Sequence, residues 1–169
     1  MPEDWDAYLE DGTKTEIILT RGKAVPDGLY HIICEVLLRH KDGSYLLMQR
    51  SSEKPYFPGW LEASAGGSAL LGEDPIRCIK RELSEETGVL CENFTQIGKM
   101  ISPENHSIFY SYLAETDCDK EKIHLQKGET EAFYWYSEAD FIRFINSGKM
   151  IPTQYQRYQE YFEKIGYIR

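Results

Sequence analysis

The sequence is poor in cysteine. There are four, Cys34, Cys78, Cys91 and Cys118, among 169 residues. None forms a C-x-x-C pair, and none stands at zinc-ligand spacing from the four histidines, which argues against a disulfide scaffold or a zinc fold. They are expected to be free thiols in a reducing cytosol. Long apolar runs are also missing. A membrane span needs about 18 such residues, and the longest greasy stretch, Ile32 to Leu38, is interrupted by Glu35. The start, Met-Pro-Glu-Asp-Trp-Asp, has neither the positive nor the apolar region of a secretory signal. The expectation is a cytoplasmic protein with no membrane partner. Basic residues are in deficit, 19 Lys and Arg against 28 Asp and Glu, giving a net charge of −9. That argues against binding a nucleic-acid polymer or an anionic membrane. It leaves room for an anionic small molecule, because a bound divalent cation inverts the local sign.

What is present fits one domain over residues 1–169, long enough to build a core without staples. Residues 1–28 are polar and punctuated, with a short edge strand over 15–20. Tyr30 to Arg39 reads as a buried strand. Ser44 to Gln49 reads as its hairpin partner across Asp42-Gly43. After the loop from Ser51 to Trp60 and a small-residue segment, 61–67, comes a helix with legible ends. Asp74 suits its N-cap, Pro75 its first turn and Gly88 its C-terminal cap. Strands follow over 93–100 and 107–114, split at Ser102-Pro103, then a charged loop and a strand over 131–135. Ser137 caps a further helix. A last helix over about 153–165 carries Tyr155, Tyr158, Tyr161, Phe162 and Ile165 as a stripe, read as core packing with a homodimer face as the alternative. Strands and helices mix without strict alternation, so the fold class is α+β, a mixed sheet between helices.

The segment from Gly67 to Val89 carries the chemistry. Glu82, Glu85 and Glu86 stand at i, i+3 and i+4, on one helical face. Like charges at that spacing repel, so helix stability does not ask for them. A hard divalent cation turns the repulsion into ligation, and Mg²⁺ prefers a few carboxylate oxygens. Arg81 can orient a carboxylate or meet an anion bidentately. Gly66-Gly67 lets the backbone approach closely and offer a carbonyl. A chance match to nine fixed positions over this stretch is on the order of 10⁻⁷ on average composition.

Those nine positions fit G-x5-E-x7-R-E-U-x-E-E-x-G-U, with U aliphatic, and the chain therefore resembles the Nudix superfamily. Tyr30-His31, Gln49-Arg50-Ser51 with Lys54, Pro58-Gly59-Trp60, Gly66-Gly67-Ser68 and Leu125 to Thr130 before Trp135 are similar to its isopentenyl-diphosphate-isomerase-like branch. The resemblance implies an α/β/α sandwich, with residues 67–89 as the catalytic loop-helix-loop. It implies Mg²⁺- or Mn²⁺-dependent pyrophosphohydrolase action on a nucleoside diphosphate linked to another moiety, X. Glu82, Glu85, Glu86 and the Gly67 carbonyl would hold metal. Arg81 and Glu129 would join the catalytic set, and Glu129 is preferred over Glu131. Arg50, Lys54 and Trp60 would face substrate, and Glu73 would organise the segment. The isomerase itself uses a cysteine and a histidine where this chain has Ala65 and Gly67, neither of which transfers a proton. A non-catalytic nucleotide-sensing or partner-binding module of the same fold is the alternative. Against it, every glutamate of the segment is retained.

Overall fold

The computed structural model describes residues 1–169. Nine strands and three α-helices alternate irregularly along the chain. Strands β1 (Asp4–Tyr8) and β2 (Lys14–Thr20) form an antiparallel ribbon. The main sheet is built on β3 (His31–His40), which lies parallel to β8 (Ser107–Thr116) over ten residues, so the sheet is mixed. Strand β7 (Thr95–Ser102) pairs antiparallel with the far side of β8. Strand β4 (Tyr45–Arg50) runs between β5 (Leu61–Ala63) and β9 (Thr130–Tyr136), and β6 (Ala65–Ser68) pairs with β3.

The expected hairpin between β3 and β4 forms at its turn only. Their register holds a single pair, Arg39 with Tyr45, and then the strands diverge. Ser64 sits at the divergence, fully buried. Its hydroxyl donates to the Leu46 carbonyl and accepts from the Leu38 amide, both at 2.8 Å. One side chain thus replaces the ladder bonds that the separating strands no longer exchange.

Both faces of the sheet are covered, which explains the almost unbroken apolar run in β3. Ile32, Cys34, Val36 and Leu38 face a core shared with Cys78, Ile79 and Leu83 of α1 (Pro75–Thr87). Leu37 and Leu47 face a second core with Phe141 and Phe144 of α2 (Glu138–Ile145) and Tyr158 and Phe162 of α3 (Pro152–Lys164). The aromatic stripe of the last helix packs largely on the chain's own sheet, with Tyr158 and Phe162 fully buried. The helix caps match their sequence signals. Asp74 accepts from the Arg77 amide at 2.8 Å, Gly88 adopts φ +75°, and Ser137 accepts from the Asp140 amide at 3.1 Å.

Strand β1 is the element the sequence hides. Asp4 and Asp6 disfavour a strand, yet Trp5, Ala7 and Tyr8 between and beyond them are buried. The acids are satisfied locally. Asp6 accepts from the Gly72 amide at 2.7 Å and pairs with Lys14 at 3.0 Å, and Asp4 accepts from Thr20 at 2.8 Å. No helix is long and apolar enough to cross a membrane.

Candidate active site

The site forms where β6 lies between β3 and α1. Gly67 is required by its neighbour: a Cβ there would lie 2.3 Å from Glu82 Oε1. The Glu82 carboxylate occupies the space a side chain would fill. At Gly66 a Cβ would come within 2.9 Å of the Cys34 carbonyl of β3. The two glycines let strand, sheet and helix approach at one point.

Arg81 organises the helix face. Its Nε and one terminal nitrogen donate to the two oxygens of Glu73, at 2.7 and 3.0 Å. The same nitrogen reaches the Ser68 carbonyl at 3.0 Å. The other nitrogen donates to Glu82 at 2.8 Å and Glu85 at 3.2 Å. Glu73 also accepts from the Leu70 amide at 2.9 Å. The hydrogen bonds that Arg81 donates to Glu73, then the nearby carboxylates, raise its pKa against the effect of burial. Burial works to raise the Glu73 pKa, but the bonds from Arg81 and Leu70 override it and hold the carboxyl below its usual range. Arg81's donors go to Glu73, Glu82, Glu85 and the Ser68 carbonyl, so in this arrangement it orients carboxylates.

Beyond β6 opens a cavity of about 160 Å³, lined by Glu35, Arg50, Glu62, Gly66, Gly67, Glu86, Glu129, Gln154 and Arg157 among others. Three of its carboxylates have cations. Arg50 donates to Glu62 at 2.8 Å, Lys54 donates to Glu129, and Arg157 holds Glu35 at 2.8 and 3.0 Å. Glu86 has none. It is 7% exposed, and its carboxylate accepts a long 3.4 Å hydrogen bond from the Gly66 amide. Burial first, then Glu82, Glu62 and Glu129, raises its pKa well above the carboxylate range. Burial likewise raises Glu82 and Glu62, in each case against a neighbouring arginine.

The expected residues therefore do not all fall together. Glu86, Gly67, Arg50 and Glu129 line the cavity, and Glu82 and Glu85 are tied to Arg81 beside it. Lys54 reaches it through Glu129. Trp60 does not line it: the ring packs edge-on against Phe57 at 5.1 Å and is 39% exposed. The Gly67 carbonyl accepts from the Cys78 thiol at 3.6 Å.

Glu129 and Glu131 are two apart, and an extended chain would aim them alike. It does not, because Glu129 ends a turn and Glu131 occupies a bulge in the β4–β9 register. Glu129 lines the cavity, whereas Glu131 accepts from the Ser52 amide at 3.0 Å outside it.

Sequence reasoning missed Glu35, Glu62, Gln154 and Arg157. For Glu35 a signal existed. A charge inside a buried strand is almost never fully buried unless paired, and its partner is Arg157, 122 residues away.

The residues suit a divalent cation by chemistry, as hard oxygen donors around one buried carboxylate that lacks a counter-charge. As they stand, no three acidic, His or Cys side chains are gathered at ligating distance. Arg81 holds Glu82 and Glu85, so ligation requires those side chains to turn.

A family model described as the NUDIX domain matches residues 29–161. The chain belongs to the NUDIX family. An uncharacterised Nudix hydrolase of Listeria monocytogenes is 25% identical over 150 residues, covering 89% of each chain. Among solved structures, this NUDIX chain is similar to a Deinococcus radiodurans protein. The TM-score is 0.72 at 19% identity, over 94% of this chain and 98% of that one. It is also similar to the NUDIX domain of Shewanella oneidensis NrtR, crystallised with ADP ribose. There the TM-score is 0.61 at 19% identity, over 80% and 88%. These similarities support the NUDIX fold and family. They give no support to the isomerase-like branch expected from the flanking residues.

Proposed function

We propose that this NUDIX protein is a metal-dependent pyrophosphohydrolase that cleaves the diphosphate of a nucleoside diphosphate linked to X, with ADP-ribose or a similar nucleotide sugar as the substrate class. The observation that carries this reading is Glu86, a buried carboxylate without a cation, in a cavity that also presents Glu129 and Arg50. Glu82, Glu85 and Glu86, with the Gly67 carbonyl, would hold Mg²⁺ or Mn²⁺. When bound, the cation supplies charge neutralisation and a more acidic water. Glu73 anchors Arg81 beside the helix face, so the guanidinium is in place before substrate arrives, and Glu82 and Glu85 would turn from it to ligate. Arg50 and Lys54 are donors whose present partners, Glu62 and Glu129, are carboxylates that substrate phosphates can replace. Glu129 takes the proton from the attacking water or completes the ligand set. Water adds to one phosphorus, the bridging P–O bond breaks, and the bridging oxygen leaves on the other phosphate. The products are a nucleoside monophosphate and X-phosphate. Isomerase chemistry is not proposed, because Ala65 and Gly67 occupy the positions of its proton donors.

The test is Glu86→Gln, which keeps shape and removes charge. Turnover of a nucleoside diphosphate sugar should fall by about two to four orders of magnitude. In chelator the melting temperature should not fall, since an uncompensated buried carboxylate is lost. A folded variant with near-normal turnover would refute the assignment.

A further inference from the structure

Helix α3 buries Gln154, Tyr158 and Phe162, which stand at i, i+4 and i+8 on one face. The two rings belong to the second core. Gln154 holds the remaining position with an amide, 6% exposed, and it lines the acidic cavity. Burying an amide costs free energy unless its hydrogen bonds are made, and here only one end is bonded. Oε1 accepts from the Ala63 amide of β5 at 2.9 Å. A backbone N–H only donates, so this bond fixes which end of the side chain is oxygen. Nε2 keeps two N–H donors that meet no acceptor of the protein, and packing does not seal it in, so it opens on the cavity. We propose that Gln154 is a substrate-binding residue whose Nε2 donates to a phosphate oxygen of the bound diphosphate. The inference rests on the diphosphate-hydrolase reading and adds to it a residue far from the segment 67–89.

The surroundings of the amide point to an oxyanion. Gln154 is the only uncharged side chain in the cavity lining that carries an N–H donor. Arg157 is committed to Glu35 by two bonds, and Arg50 to Glu62. Arg50 must release Glu62 before it takes up a phosphate, whereas Gln154 gives up nothing. The carboxylates of the same lining are strong acceptors, yet none is bonded to Nε2, so the donor is free to meet an incoming oxygen. The two donors are also anchored to consecutive residues of β5, Arg50 through Glu62 and Gln154 through Ala63. A cationic and a neutral donor are thus set beside each other, and a diphosphate has oxygens for both.

The mount is fixed. Tyr158 and Phe162 on the same helix face are fully buried. Helix α3 sits close to β7 because Gly98 has no side chain: a Cβ there would lie 3.0 Å from the Arg157 carbonyl.

The probe is the ADP-ribose analogue in which a methylene replaces the bridging oxygen, so that it binds and is not cleaved. Calorimetry measures its affinity in Mg²⁺. Gln154→Met keeps the length of the side chain and removes the donor. It should weaken the analogue at least about tenfold, the scale of a hydrogen bond to a charged group, and leave the affinity for Mg²⁺ alone unchanged. A folded variant that binds the analogue as wild type does overturns the proposal. An equal loss of Mg²⁺ affinity also overturns it, because the residue would then act through the carboxylates. Gln154→Met loses the Ala63 bond as well, so a second measurement uses wild type. In protein labelled with ¹⁵N-glutamine, the Gln154 side-chain amide is assigned by its proximity to the Ala63 amide. Its resonances should move downfield when the analogue is added in Mg²⁺, and resonances that stay in place overturn the proposal. Either of these failures leaves the hydrolase reading standing. A wild type that does not bind the analogue removes the substrate reading and the assignment together.

Discussion

At the scale of single residues, His31 shows how burial becomes pH dependence. Its ring stacks on Trp5 at 4.1 Å and shares a 3.1 Å hydrogen bond with the Ser107 hydroxyl. Ser107 donates onward to the Asn105 carbonyl, so Nε2 of His31 is the donor and Nδ1 is left buried without a partner. Burial, then Arg21 and His106, lowers its pKa to about 4. Above about pH 6.5 the ring is neutral in both folded and unfolded chains. Between 6.5 and 4 only the unfolded chain takes up a proton, so stability falls as the pH drops, by about 3 kcal/mol in all. Urea unfolding of wild type and His31→Phe across this range should show that slope lost in the variant, which keeps a ring on Trp5. Equal slopes would mean other groups carry the acid sensitivity. The choice between Glu129 and Glu131 also belongs here. Glu129→Gln should cost at least about tenfold in kcat, or about 1.4 kcal/mol, and Glu131→Gln much less. The reverse ranking would move the role to Glu131. The sequence leaves the pair undecided because the bulge that separates them is a property of strand register. No local residue pattern announces it.

At the scale of elements, the segment 61–68 is the instructive case. Its sequence is short, apolar and rich in small residues, and it is assigned no strand. In the fold it is two strand pieces serving two diverging neighbours, with Ser64 at the switch. Ser64→Ala leaves the Leu38 amide and the Leu46 carbonyl buried without a partner. Each such group costs about 1–3 kcal/mol, and chemical denaturation should register a loss of about 2–4 kcal/mol. A loss below about 0.5 kcal/mol, the usual scale of an inert substitution, would show that the strands rejoin without the hydroxyl. Helix α1 lies at the other extreme of legibility. Its cap, first-turn proline, C-terminal glycine and carboxylate face were all readable, because capping and helical periodicity are local. Helix α3 was legible as a helix. Its delivery of Gln154 and Arg157 to the site was not, since that depends on packing against strands distant in sequence.

At the scale of the whole molecule, the net charge of −9 is not spread evenly in its consequences. At the site Arg81 holds Glu73, Glu82 and Glu85, while Arg50, Lys54 and Arg157 hold one carboxylate each, and Glu86 is left without a cation. The mixed sheet, covered on both faces, holds that arrangement rigid from β3, β6 and α1 on one side and from α3 on the other. The mixed-sheet class was legible from the order of elements. Of the N-terminal ribbon, the strand expected over 15–20 is β2, whereas β1 was not legible, because Asp4 and Asp6 interrupt its apolar residues and Asp6 is buried with them. The proposed chemistry depends on a cation held by Glu82, Glu85 and Glu86. The most direct measurement is hydrolysis of a nucleoside diphosphate sugar, followed by product identification, in Mg²⁺, in Mn²⁺ and after exhaustive treatment with EDTA. Nucleoside monophosphate and sugar phosphate should form with either metal, no products in chelator, and activity should return when metal is restored. Undiminished hydrolysis in chelator would contradict that dependence.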